Sequence, residues 1–153
     1  GRRCRCPNLG CLEAYAGGWA IAERAKEAVS DKPKDGERLK SLAGGFENIS
    51  AATVNQGYRE GDPLSKKIVE ETGQHLASGV VGIVNAFNPC VVVLGGGVIE
   101  GLPELIPIVE EVTRKRALKP NVEKLKIIKA SLGVKAGAIG AAALARNKLG
   151  GDL

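Results

Sequence analysis

Apolar positions recur at helical spacing over most of the chain and change twice to short continuous runs. From Leu12 to about Val29 an Ala- and Glu-rich stretch places Leu12, Tyr15, Trp19 and Ala22 near one stripe, which predicts a helix after a cysteine-bearing loop. Ser30 to Lys40, with Pro33 and Gly36 among Lys and Asp, reads as an exposed loop, and Ala43-Gly44-Gly45 is a second break. A short helix is predicted from about Ser50, a suitable N-cap, to Tyr58. Asp62-Pro63 then opens a long helix, because the carboxylate caps free amides and Pro at the first position loses no hydrogen bond. Leu64, Ile68, Thr72, Leu76, Val80, Ile83, Val84 and Phe87 form its core stripe up to Asn88-Pro89, where the pre-proline restriction ends it.

Val91-Val92-Val93-Leu94 is apolar at every position, as in a parallel strand buried on both faces, and Gly95-Gly96-Gly97 terminates it. A helix from near Leu105 to Leu118, with Pro107 in its first turn, leads to a second strand at Leu125 to Ala130 and a Gly/Ala-rich helix from Gly137 to about Asn147. In that last helix Gly133, Gly137 and Gly140 with the neighbouring alanines leave a nearly smooth face, suited to close packing on a sheet. Helices alternating with strands give an α/β fold class.

Composition changes this picture in three respects. With one Trp, two Tyr and two Phe in 153 residues, Ala, Val, Ile and Leu must fill the core. A net charge of +5 raises nucleic acid as a partner, but the bases are scattered and not interleaved with aromatics, which favours a solvated surface. Residue 1 is Gly and Met is absent, so the chain reads as part of a longer polypeptide. No charged start precedes an apolar signal region and no apolar run approaches the about 20 residues of a membrane span, so a soluble, cytoplasmic protein without a membrane partner is expected.

The densest chemical signal is CRCPNLGCLE. Cys4, Cys6 and Cys11 can converge on one tetrahedral zinc; the alternative is three reduced thiols with no metal, since no fourth ligand is adjacent. His75, the only histidine, lies beside the long-helix stripe and reads as a partly exposed surface residue rather than that fourth ligand. Cys90, between Pro89 and the strand, fits as a small apolar thiol without a reactive role. Glu13 either complements a helix dipole or, held by a metal-stiffened loop, accepts hydrogen bonds from substrate hydroxyls. Gly95, Gly96 and Gly97 sit at the carboxyl end of a strand, where open α/β sheets bind ligands; they admit a flat ligand such as a nucleoside or simply make a tight turn.

In order, CRCPNLGCLEAYAGG, REGDPLSKKIVEE, NAFNPCVVVLGGGVIEG and ASLGVKAGAIGAAALA resemble the carboxy-terminal half of the ROK family of repressors and sugar kinases, across essentially the whole chain. The resemblance implies one lobe of an actin-like, ribonuclease H-like (hexokinase-type) ATPase fold. Residues 1–13 would be a cysteine-rich zinc loop and 14–153 the α/β lobe. It also implies that Cys4, Cys6 and Cys11 are three ligands of a structural Zn²⁺, that Glu13 binds sugar hydroxyls, and that Gly95, Gly96 and Gly97 contact adenosine. Two positions depart from the family pattern: Pro7 stands where Gly usually follows CxC, and Cys90 where an acidic residue often follows Asn-Pro. The family's fourth zinc ligand (a histidine), its DxGGT phosphate loop and its catalytic aspartate would all precede Gly1. No catalytic residue is therefore expected in this chain.

The implied parent is an ATP- and Mg²⁺-dependent hexose kinase, foremost a glucokinase converting glucose and ATP to glucose 6-phosphate and ADP, with this chain alone inactive. The alternative is the effector-binding half of a sugar-responsive repressor, the one case with a nucleic-acid partner. A third possibility is a free-standing lobe that exposes an apolar cleft face and assembles with another chain. Implied partners are a hexose, ATP, the missing amino-terminal lobe and a further copy in a homo-oligomer.

Overall fold

The computed structural model describes residues 1–148. After the cysteine loop come α1 (Glu13–Ala16), α2 (Gly18–Asp31), α3 (Glu37–Ala43), α4 (Ala51–Arg59) and α5 (Pro63–Phe87). There follow β1 (Val91–Leu94), α6 (Gly97–Gly101), α7 (Leu105–Arg116), α8 (Lys119–Val122), β2 (Lys126–Lys129) and α9 (Ala136–Lys148). The two strands pair in parallel with Val91 opposite Lys126 and Leu94 opposite Lys129, joined by the crossover α6–α7–α8.

The long helix is set at both ends by local chemistry. Asp62 Oδ2 accepts from the Ser65 backbone N–H at 2.7 Å, Pro63 occupies the first turn, and Asn88 ends the helix in the left-handed conformation at φ 45°. At α4, Ser50 Oγ accepts from Thr53 N–H at 3.2 Å while Thr53 Oγ1 accepts from Ser50 N–H at 3.3 Å, a reciprocal cap. Both starts are where the sequence puts them.

The core joins Ile21, Ala25 and Val29 of α2, Leu39, Val54, the α5 face of Ile68, Val69, Ala77, Val80 and Val84, Leu105 and Val109 of α7, and Ile127 of β2. α5 and α7 approach closely at Gly73, where a Cβ would lie 2.5 Å from Ile108 Cγ2. Arg24 is buried and ties three helices together. Its guanidinium donates to the Tyr15 carbonyl at 3.0 Å, to Thr72 Oγ1 at 3.0 Å and to Glu71 Oε2 at 2.7 Å.

Five expectations are corrected. The first helix is two, because Gly17 is extended (ψ 152°) and divides it. Within the predicted loop, α3 forms from Glu37 onward, with an acidic residue in its first turn and Gly44 at φ 67° closing it. The α5 stripe is core only as far as Val84; Ile83 is 48% and Phe87 78% exposed, because the described chain covers only the side of the last turn where Asn121 Nδ2 donates to the Val84 carbonyl at 2.9 Å. β1 is not buried on both faces. Val91 and Val93 are exposed while Leu94 is buried, since α-helical packing reaches only one side of a two-stranded sheet. The described part of α9 buries no residue, so its smooth face is not packed on the sheet. Among the described residues no helix is long and apolar enough to cross a membrane.

Candidate functional site

Residues 3 to 9 turn back on themselves as a small hairpin: Arg3 bridges Leu9 in antiparallel fashion, Cys4 N–H donates to the Asn8 carbonyl at 3.2 Å, and Gly10 N–H donates to Arg2 at 2.9 Å. Gly10 takes φ 76°, which directs the chain into Cys11. This folding brings the sulfurs of Cys4, Cys6 and Cys11 within 4.8 Å of one another, with Cys6 and Cys11 at 3.5 Å. It is the one group of three His, Cys, Asp or Glu ligand atoms so gathered among the described residues. Three convergent thiols are compatible with part of a zinc site.

The Asn8 backbone N–H, with the Cys11 and Cys4 thiols, holds Cys6 below the usual thiol range, and Cys11, hydrogen-bonded to Cys6, is pushed up to about 11. A cation entering the trio therefore displaces protons as it binds. His75 is not in this group. Its ring packs on Tyr15 with centroids 4.6 Å apart, and it is half-buried, as the sequence suggested. Cys90 lies outside the cluster too, and it is exposed rather than tucked against the strand.

Burial first, and then the Arg24 cation, lower the His75 imidazole below its ordinary range. The unfolded chain then takes up a proton before the folded one. Stability is fully present above the ordinary histidine value of about 6.5 and is lost as pH falls through that value toward the depressed folded one. The urea midpoint should accordingly drop between about pH 7 and about pH 5, with a shallower drop in His75→Gln. Equal slopes in both proteins would contradict this.

Glu13 opens α1 two residues beyond Cys11 and is exposed. Its Oε1 accepts from the indole N–H of Trp19 at 2.8 Å, and the Arg5 guanidinium lies 4.7 Å from the Trp19 ring centroid. The sequence pattern puts Trp19 near one stripe of a continuous helix; with the helix broken at Gly17, its indole meets Glu13. Neither the Trp19–Glu13 bond nor the Arg5–Trp19 contact leaves a periodic signal in the sequence.

Gly95, Gly96 and Gly97 link β1 to α6 and are all exposed. The first two positions require glycine and the third does not. A Cβ at Gly95 would lie 2.9 Å from the Ala130 Cβ, Gly96 takes φ 94°, and Gly97 meets nothing within 4 Å. The open space at Gly97 is where a ligand can approach the backbone. Beyond the loop, Glu100 pairs with Lys129 at 2.8 Å, a charge pair the sequence did not disclose. The start of α2 lies near the start of α6: a Cβ at Gly18 would lie 3.8 Å from Val98 Cγ2. A groove of about 480 Å³ between α5 and α7, lined by Lys66, Glu70, Glu111 and Lys115, contains none of these residues.

The ROK family profile matches residues 1–148. The chain belongs to the ROK family. Among its ROK relatives, the DNA-binding transcriptional dual regulator NagC of Escherichia coli is 30% identical over 97% of this chain and 35% of its own length. The glucokinase of Streptomyces coelicolor is 28% identical over 95% of this chain and 47% of its own. A ROK glucokinase of Streptomyces griseus, solved in complex with glucose and AMPPNP, superposes with TM-score 0.82 at 28% identity, covering 93% of this chain and 46% of that one. The chain thus spans about a third to a half of the relatives it matches. Its fold is that of ROK hexokinases and glucokinases, the actin-like ATPase architecture, with a small parallel sheet among helices as in part of a lobe.

Proposed function

We propose that this chain is the carboxy-terminal lobe of an ATP-dependent hexose kinase, a glucokinase that forms glucose 6-phosphate, comprising a cysteine-rich loop (1–13) and an α/β lobe (14–153). The observation that carries the reading is the exposed Glu13 carboxylate, two residues beyond the gathered Cys4, Cys6 and Cys11 thiols and held by the Trp19 indole N–H at 2.8 Å. Similarity to a glucokinase solved with glucose and AMPPNP over 93% of this chain supports it.

In this reading Glu13 accepts hydrogen bonds from two neighbouring sugar hydroxyls and so fixes the orientation of the ring. Gly95, Gly96 and Gly97 let adenosine lie against the backbone without meeting a Cβ. Cys4, Cys6 and Cys11 hold a structural zinc, which clamps the loop that carries Glu13. By the family resemblance, the aspartate that takes the hydroxyl proton and the loop that holds Mg²⁺-ATP for in-line transfer lie on the amino-terminal lobe.

Metal analysis of the native polypeptide, purified without chelator, should find about one zinc per chain, and less than about a tenth of an equivalent contradicts the zinc assignment. A second reading is favoured by the 30% identity to the Escherichia coli regulator: the same lobe would bind the effector of a sugar-responsive repressor. The intact mass and amino-terminal peptides of the native polypeptide separate the two. A DxGGT loop near the start supports the kinase, and a winged helix in its place supports the repressor.

A further inference from the structure

We infer that Trp19 is a positioning residue for Glu13, holding the carboxylate in the orientation that receives the sugar. The inference rests on the reading of Glu13 as the hydroxyl acceptor. An exposed glutamate at a helix start samples several rotamers, and each must be given up when a ligand binds. Here one rotamer is selected beforehand. The indole N–H is a donor only and meets Oε1 at 2.8 Å. A carboxylate offers about four lone-pair sites, so this bond occupies one and leaves Oε2 and the rest of Oε1 for two hydroxyls.

Two further features point the same way. The Arg5 guanidinium, 4.7 Å from the ring centroid, restrains the indole on one face, and Arg5 stands between Cys4 and Cys6. The order of the cysteine loop is in this way passed through Arg5 and Trp19 to Glu13. Gly17 completes the arrangement: a Cβ there would lie 2.7 Å from the Glu13 carbonyl oxygen, 2.9 Å from Glu13 Cγ and 3.4 Å from Trp19 Nε1. Only a residue without a side chain lets the bond span the break between α1 and α2. The backbone at Gly17, φ −70° and ψ 152°, is open to any residue, so the steric contact and not the dihedral demands glycine.

The test uses the full-length native polypeptide with glucose as the probe, and compares Trp19→Phe, Glu13→Gln, the double variant and Gly17→Ala. Trp19→Phe keeps an aromatic ring on which Arg5 can stack and removes the N–H donor together with the pyrrole half of the indole. It should raise the glucose Kd and KM about tenfold while kcat stays within about twofold, because the bond serves ground and transition states alike. Gly17→Ala, which forces the pair apart by a separate route, should change Kd in the same direction. In the Glu13→Gln background, Trp19→Phe should add less than about twofold, as expected of a residue that acts through Glu13.

If Trp19→Phe and Gly17→Ala both leave the glucose Kd within about twofold while Glu13→Gln weakens it, the positioning role is overturned and the Glu13 reading stands. Tighter binding in Trp19→Phe would show instead that the indole competes with the sugar, which also overturns it. An equal loss from Trp19→Phe with and without Glu13 assigns the effect to another contact and overturns it as well. Glucose binding indifferent to Glu13→Gln removes the Glu13 reading itself.

Discussion

Replacing Glu13 by Ala in the full-length polypeptide is expected to weaken hexose binding by roughly 10²- to 10⁴-fold, as measured by calorimetric titration. A hydrogen bond to a charged group contributes about 1.5–3 kcal/mol, each 1.4 kcal/mol is about tenfold, and the carboxylate is assigned two hydroxyls. The fold should not respond. Glu13 is exposed and its one side-chain partner among the described residues is Trp19, so the thermal midpoint should move by no more than a surface substitution moves it, about 0.5 kcal/mol in stability. Lost affinity with an unchanged midpoint separates a ligand contact from the helix-dipole role also open to an acidic residue at this position. Unchanged affinity would leave only the dipole role.

The second large effect is on stability and belongs to the core. Leu105 is fully buried at the start of α7 and belongs to the same core cluster as Leu102, Val109 and the α5 face. Leu105→Ala removes about three methylene equivalents from a site held by two long helices that cannot easily close on the gap. A loss of about 3–5 kcal/mol is expected, read as a lower urea midpoint at unchanged slope. A loss under about 1 kcal/mol would mean that α7 relaxes into the space and that the packing at Gly73 and Ile108 is not fixed.

What the sequence disclosed and what it hid have a common physical origin. α5 was legible at both ends because Asp62-Pro63 and Asn88-Pro89 act on their own backbone, independent of the rest of the fold. The strands were legible as short β-branched runs, and their parallel pairing follows from the helical crossover. α3 was hidden because Pro33 and Gly36 just before it carry turn chemistry, while its helical signal is only seven residues long. The exposure of Val91, Val93 and Phe87 was hidden for a different reason: apolar spacing reports which face wants cover, not whether cover is present.

The candidate site divides in the same way. The three cysteines were legible because their spacing is local, and the hairpin from Arg3 to Leu9 brings them together as spacing suggested. Trp19 was misplaced because a continuous helix was assumed; one extended residue at Gly17 rotates it from the stripe to the Glu13 carboxylate. Arg24 and the Glu100–Lys129 pair depend on contacts between elements distant in sequence, and no window along the chain contains both partners.

Phosphoryl transfer to a hexose is the activity proposed for the protein that carries this lobe. The most direct measurement is the ATP-dependent appearance of glucose 6-phosphate with the purified full-length polypeptide, in parallel with its Glu13→Ala variant and with the 153-residue chain alone. Sustained turnover is expected from the full-length protein, strongly reduced turnover from the variant at subsaturating glucose, and none from the chain alone. A full-length protein that binds the sugar with unaltered fold yet forms no phosphorylated product would contradict the kinase assignment and leave the lobe as an effector-binding module.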